Sequence, residues 1–281
     1  MTEDGALRTF GPTGPEDPAG TAAHRLAGIS VPWRLGPYFA TGEQDPVALG
    51  EYAAATGRSV GREECAVWAR LGGDNGFEIA ADTEGVVWAV LLDYDEADRF
   101  VNSSPEAFAA GLAELREALR VMVGTDQPEV ASSAFERLGE RLRAGDPQAF
   151  AGRESWWPLV LDDIRDTASV ENYAAFEYVD AAGDKRIVTR SGAIALHPEE
   201  RLWDTLNGAG VEPEQVLRIH TDLAPCFMPG HYCSMWLAQV FPQAAMTHSF
   251  PYGESAGSRA EGVRRLRESA DEEAGGPAAG Q

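Results

Sequence analysis

Lysine is almost absent from this chain: its 281 residues hold one, Lys185, against 22 arginines, and the 23 basic side chains face 45 acidic ones for a formal net charge of −22. The arginine bias reads as base composition of the source genome and carries no functional argument. The shortage of positive charge is shared by both halves. Residues 1–125 hold 9 basic and 20 acidic side chains and residues 126–281 hold 14 and 25, so each half is net −11. Such a field disfavours a duplex or long single strand as partner, because nucleic-acid binding normally rests on basic patches that release counterions. Mononucleotides in a local pocket, or a basic protein, fit better, and this acidity would steer a cationic partner. No run approaches the ~18 to 20 apolar residues that span a bilayer, so no membrane partner is expected. The N-terminus carries Glu3 and Asp4 and neither a positive nor an apolar segment, which does not read as a signal peptide; a cytoplasmic location is the expectation. Three cysteines, an odd number, supply no disulfide framework. Cys65, in the apolar run Cys65-Ala66-Val67-Trp68, reads as a buried structural thiol.

What is present is globular composition, 44% hydrophobic and 9% aromatic, so the negative charge sits on folded surface. The length favours two domains. Residues 1–23, rich in glycine and proline, read as a flexible leader and about 271–281 as a flexible tail, leaving domains at 24–125 and 155–270 with a linker at 126–154. In the first domain a short helix over 47–57 precedes β-like runs at about 65–71, 76–82 and 86–92, broken by Gly72-Gly73-Asp74-Asn75-Gly76 and Thr83-Glu84-Gly85, with a further strand near 99–102. Ser104 as N-cap and Pro105 at the first helical position then open a helix whose Phe108, Leu112, Leu115 and Leu119 share one face. This domain is α+β. The linker carries a connecting helix over 133–142, and Trp156-Trp157-Pro158 reads as a packing feature.

The second domain has the order β-β-α-β-α-β-α, an α/β sandwich on one sheet. A hairpin joins 176–179 to 186–189, a helix over 197–206 is stopped by Gly208 and Gly210, a strand covers 216–219, a helix 230–241, a strand 245–250 and a closing helix 259–269. On these elements lies the chain's chemistry. His197-Pro198-Glu199 is followed by Pro225-Cys226 and then Cys233, which reads as the metal half and the proton-shuttle half of a zinc deaminase. One imidazole and two thiolates, from His197, Cys226 and Cys233, suit Zn²⁺ and leave a fourth position for water, while Glu199, two residues after the histidine, is placed to move protons. His197 and Glu199 fall at one helix start and Cys233 at another, and the partial positive charge there favours thiolate ligation. The usual P-C-x-x-C is stretched here, with six residues, 227–232, between the cysteines. Pro229-Gly230 permits the turn that such a gap needs. His231 is a rival ligand, although on a helix beginning at residue 230 it would point to a different side from Cys233. His220 and His248 lie in strand-like runs and read as hydrogen-bonded sheet residues, and His24 reads as solvated. Each motif also has a bland reading: His-Pro-Glu starts many helices, and Cys226 and Cys233 alone could be buried thiols.

The run from His220-Thr221-Asp222-Leu223-Ala224-Pro225-Cys226 through Cys233, continued by Thr247-His248-Ser249-Phe250-Pro251-Tyr252-Gly253, resembles the nucleic acid/nucleotide deaminase-like domains of bacterial polymorphic toxin systems over about 155–270. That resemblance implies a three-layer cytidine-deaminase-like α/β fold, zinc on His197, Cys226 and Cys233, and Glu199 as acid/base. Family members often carry Glu before P-C, where this chain has Ala224. The first domain resembles the fourth subgroup of the SUKH immunity superfamily through Leu35-Gly36-Pro37-Tyr38-Phe39, Trp68-Ala69-Arg70-Leu71-Gly72, Val87-Trp88-Ala89-Val90 and Arg99-Phe100-Val101-Asn102-Ser103-Ser104. The resemblance implies an acidic α+β domain that binds and neutralises a toxin, and a basic toxin surface would suit its charge. Three functions follow: a deaminase acting on a cytosine or adenine base of a nucleotide, nucleoside or single strand, a non-enzymatic immunity protein whose deaminase fold is a structural or recognition module, or a plain nucleotide-binding module.

Overall fold

Short apolar runs separated by glycine and aspartate turns should zip into antiparallel ribbons, and longer apolar stripes at helical spacing should lie over them. The computed structural model describes residues 6–11, 21–45, 47–95 and 98–275. They divide into two units, Met1–Leu161 and Asp162–Gln281.

In the first unit β1 (Leu7–Thr9) pairs antiparallel with β2 (Ser30–Pro32), with α1 (Ala22–Leu26) between them. The described part of the expected leader, 6–11 and 21–23, thus includes a paired strand and a helix start; the rest lies outside the described residues. A six-stranded antiparallel meander follows in simple order: β3 (Arg34–Leu35), β4 (Phe39–Ala40), β5 (Ala69–Gly73), β6 (Glu78–Ala81), β7 (Val87–Val90) and β8 (Arg99–Asn102). α2 (Leu49–Ala55) separates β4 from β5. Cys65 is in a short 3-10 turn, Glu63–Val67, and not in the strand expected from residue 65. It is buried among Leu49, Trp68 and Leu92, where a small apolar side chain fits.

α3 (Pro105–Val123) starts as its sequence dictates, Ser104 Oγ accepting from the Ala107 N–H at 3.2 Å, and buries Phe108, Leu112 and Leu115. α4 (Pro128–Gly145) is longer than the helix expected at 133–142 and packs along α3. Its Leu138 and Leu142 are buried, so the segment read as a linker is an integral layer of this unit. The tandem tryptophans open α5 (Trp156–Ser169), and burial forces their N–H groups to find acceptors: Trp156 Nε1 donates to Asp74 at 2.7 Å and Trp157 Nε1 to Asn102 at 2.8 Å. Gly111 of α3 lets the Trp157 ring approach to where a Cβ would meet Cζ2 at 2.6 Å.

The second unit begins within α5 and continues with β9 (Tyr173–Val179), β10 (Lys185–Ser191), α6 (Pro198–Gly208), β11 (Val216–Leu223), α7 (Cys233–Val240), β12 (Ala245–Phe250) and α8 (Ala256–Gly275). From β9 onward this is the element order read from the sequence, while the helix α5 is not part of that reading. The strands lie in the order β10-β9-β11-β12, antiparallel except for β11 with β12. The hairpin is longer than expected, pairing Lys185 with Val179 through Ser191 with Tyr173. α8 runs to Gly275, so the expected tail is helical from 271 to 275 and otherwise outside the described residues. Ala174, Phe176, Ile219 and Thr221 face the core, where Phe176 and Trp203 pack edge-on against Phe241 at 5.6 and 4.8 Å. The other face carries Ile187, 69% exposed, with exposed Tyr173, Thr189 and Thr247. At these described positions the second face is open, and the expected three-layer arrangement is not shown. No described helix is long and apolar enough to cross a membrane.

Candidate metal centre

His197 directly precedes α6, and Pro198 occupies the first helical position, where its missing N–H costs nothing. The Glu200 carboxylate turns back to accept the His197 backbone N–H at 3.2 Å, fixing the entry into the helix. The imidazole then points at two thiols: His197 Nδ1 is 3.3 Å from Cys233 Sγ and 3.5 Å from Cys226 Sγ. The three ligand atoms all lie within 4.8 Å of one another, and all three residues are buried. Tetrahedral bonds of the usual Zn–N and Zn–S lengths put ligand atoms about 3.5 to 3.8 Å apart, so one nitrogen and two sulfurs at this spacing could hold a metal ion.

The six-residue gap between the cysteines closes as a tight turn. Cys226 follows the end of β11. His231 N and Tyr232 N then both donate to Met228 O at 3.1 Å, while Gly230 (φ +86°) and Tyr232 (φ +44°) adopt left-handed backbone that reverses the chain. Ser234 finishes the closure, its N–H and its hydroxyl each donating to Cys226 O at 3.0 Å. Cys233 thereby enters the first turn of α7 beside Cys226.

Because α7 starts at 233 and not at 230, His231 belongs to the turn, and its ring faces the centre instead of turning away. It stacks on the His197 ring, centroids 3.8 Å apart and planes inclined by 7°. Asp163, from α5, joins the two: one carboxylate oxygen is 2.9 Å from His197 Nε2 and the other 3.2 Å from His231 Nε2. His231 Nδ1 lies 2.8 Å from Glu200, which returns to the His197 backbone. A closed loop of polar contacts thus holds His197 with Nδ1 turned to the sulfurs, the usual arrangement behind a ligating histidine. Asp163 and Glu200 were not singled out from the sequence. The available signal was Asp162-Asp163 interrupting the apolar stretch Leu159-Val160-Leu161 and Ile164 on a helix. Of the other histidines, His220 contacts Thr247 at 2.9 Å and Ser249 at 3.2 Å as a sheet residue, His248 is exposed on β12, and His24 is exposed on α1.

Burial dominates the ionisation of the cluster's own side chains and local charges divide it. Burial opposes charge on His197 and His231, but the Cys226 thiolate and Asp163 hold His197 well above its ordinary value, and Asp163 raises His231 to about 9. The Asp163 carboxyl, despite complete burial, is held below the usual carboxylate range by both rings. Burial also resists ionisation of Cys226, yet the Cys233 thiol and the charge on His197 lower it well below the ordinary thiol range; Cys233, buried beside that thiolate, is raised well above it. A helix start does not by itself acidify Cys233, because two adjacent buried sulfurs resist a second charge.

Glu199 is 4% exposed, its Oε2 has no hydrogen-bond partner, and burial pushes its pKa up to about 7. With His197, Cys226, Thr221 and Tyr252 it lines a cavity of about 20 Å³, room for roughly one water. The Tyr252 hydroxyl donates to Asp166 at 2.8 Å on the cavity wall.

Fold and site together define a two-unit protein of mixed helices and sheets, with a buried His/Cys/Cys cluster of metal-binding type in the second unit. The chain belongs to the SUKH-4 immunity protein family, which matches residues 19–163, just over half its length. Residues 169–269 match the Xanthomonas-like deaminase family, in the N- to C-terminal order that the resemblances implied. The SUKH-4 span takes in residues 126–154, all of the expected linker. No curated protein and no solved structure matches the chain.

Proposed function

We propose that the second unit is a zinc-dependent base deaminase in which His197 Nδ1, Cys226 Sγ and Cys233 Sγ hold the metal and Glu199 moves protons. The observation that carries this reading is the convergence of those three ligand atoms beside a buried carboxyl whose Oε2 has no partner. Zinc, when bound, acidifies water towards neutral pH and orients it for attack. The chain's own groups do the rest. Asp163 and His231 keep Nδ1 of His197 directed at the metal position. The walls around Glu199 exclude bulk water, which leaves its carboxyl with a pKa suited to accepting a proton near neutrality and returning it to a departing amine. The net reaction replaces an exocyclic amino group of cytosine or adenine by oxygen and releases ammonia.

The first unit, by its family, is the part that meets a toxin, and its acidity suits a basic one. The SUKH-4 membership also favours a second reading, an immunity protein whose deaminase fold recognises without turning over. In either reading the protein acts in the cytoplasm within a toxin–immunity system.

Metal analysis of the purified chain is expected to find one zinc, lost in Cys226→Ala and Cys233→Ala. Ammonia release from a panel of aminated bases, nucleosides and nucleotides should be abolished in Glu199→Gln. Zinc retained by both cysteine variants would refute the metal assignment, and zinc without turnover of any substrate would favour the recognition reading.

A further inference from the structure

We propose that Thr221 is a substrate-contacting residue, and that the site it serves takes an uncharged aminated heterocycle, as free base or nucleoside, in preference to a phosphorylated one. The proposal rests on the deaminase reading above and narrows its substrate class. β11 alternates so that Ile219, Thr221 and Leu223 all turn to the buried side. A hydroxyl in that row is out of keeping with its neighbours: Thr221 is 1% exposed and its Oγ1 has no hydrogen-bond partner. A buried hydroxyl left unsatisfied is destabilising, and valine, of nearly the same shape, would avoid that. Thr221 lines the same small cavity as Glu199, so two unpartnered oxygens border one space that has room for about a water. A ring edge with donor or acceptor groups is what such a pair would satisfy.

The space for the remainder of the ligand adjoins it. A cleft of about 420 Å³ shares Thr167 and Asn172 with the small cavity, within the ~300 to 1,000 Å³ of small-molecule sites. Its described lining, residues 167–172 and 192–194, contains one charged side chain, Glu171, and no lysine, arginine or histidine. In the small cavity His197 is the one basic group, and it is committed to Asp163 and the two thiols. A phosphate would enter a cleft whose described lining offers no cation, with the neighbouring Arg201 already donating to Ser191 O and Gly192 O and Arg165 paired with Asp162 and Asp166, in a chain whose net charge is already −22. A neutral sugar or bare ring meets no such cost.

The test uses the full zinc-loaded chain and Thr221→Val, with cytidine, adenosine, their free bases, their 5′-monophosphates and a single-stranded oligonucleotide. Thr221→Val should keep its zinc, melt at the wild-type temperature or above, and lose roughly three- to tenfold in kcat/KM on nucleosides, the size of one neutral hydrogen bond. In thermal-shift titrations nucleosides or bases should stabilise the wild type more than the monophosphates do, and stabilise the valine variant less. A lower melting temperature for the variant would assign Thr221 a structural role and overturn the proposal, as would unchanged kcat/KM. Faster turnover of monophosphates or oligonucleotide would overturn the substrate class while leaving the deaminase reading intact. A chain without zinc, or without turnover of any compound, would instead defeat that underlying reading and this inference with it.

Discussion

Asp163 shows what one buried side chain can decide. It carries a charge at 0% exposure, which is tolerable because two imidazoles lie within 3.2 Å of its oxygens. Removing that charge leaves His197 free to turn and His231 without its main counter-charge. Asp163→Asn is therefore expected to weaken zinc binding about 10- to 100-fold in chelator competition, as loss of a residue behind a ligating histidine does; unchanged affinity would remove Asp163 from that role. Glu199 supplies a pH dependence. Burial moves its pKa from the ordinary 4.5 up to about 7, so the folded metal-free protein holds a proton that the unfolded chain releases between those values. Stability is then favoured at low pH and falls as pH rises through 4.5 to 7. The full shift corresponds to on the order of 3 kcal/mol at ~1.4 kcal/mol per pKa unit. Glu199→Gln has no charge to bury. In chelator-treated protein its urea midpoint should match wild type near pH 4.5 and exceed it at pH 8, and equal midpoints at pH 8 would contradict the burial argument.

At the scale of elements the turn between β11 and α7 matters most. The cysteine spacing is wider than P-C-x-x-C, and its six residues are folded by one left-handed glycine, one left-handed tyrosine and the bonds from Ser234 to Cys226 O. The added length also delivers His231 to the back of His197. Alanine at Gly230 would have to adopt φ +86°, at a cost of about 1 to 2 kcal/mol. Gly230→Ala should therefore lower the melting temperature of the zinc-loaded chain and shorten its zinc retention under chelator together; a lower melting temperature with wild-type retention would mean that the turn does not set the ligand geometry. Helix starts were the most legible features of the sequence. Ser104-Pro105 and His197-Pro198 each declare a boundary through local chemistry alone, and both stand where expected. Boundaries that depend on packing were not legible: Cys65 falls in a 3-10 turn, and α4 extends eight residues beyond the expected ends in sum because α3 shelters it.

For the molecule as a whole, charge is the property that reaches furthest. With net −22 and both halves acidic, the chain should give no mobility shift of duplex DNA even at about 50 mM salt, where basic binders hold most tightly; a complex that weakens steeply with added salt would reveal a basic face that the composition conceals. The sequence by itself determined the charge, the order of strands and helices in the second unit from β9 onward, the helix starts at Pro105 and Pro198, and the resemblance to two families. These are local or summed properties, read from neighbouring residues without knowledge of what lies across space. The tertiary structure alone decided that His231 stacks behind His197, that Asp163 comes from a helix 34 residues earlier to bridge them, that α4 joins the first unit, and that Thr221 and Glu199 share one cavity. Each depends on contacts between distant segments, and such contacts are set by packing and by the need of every buried charge for a partner, which no spacing along the chain encodes.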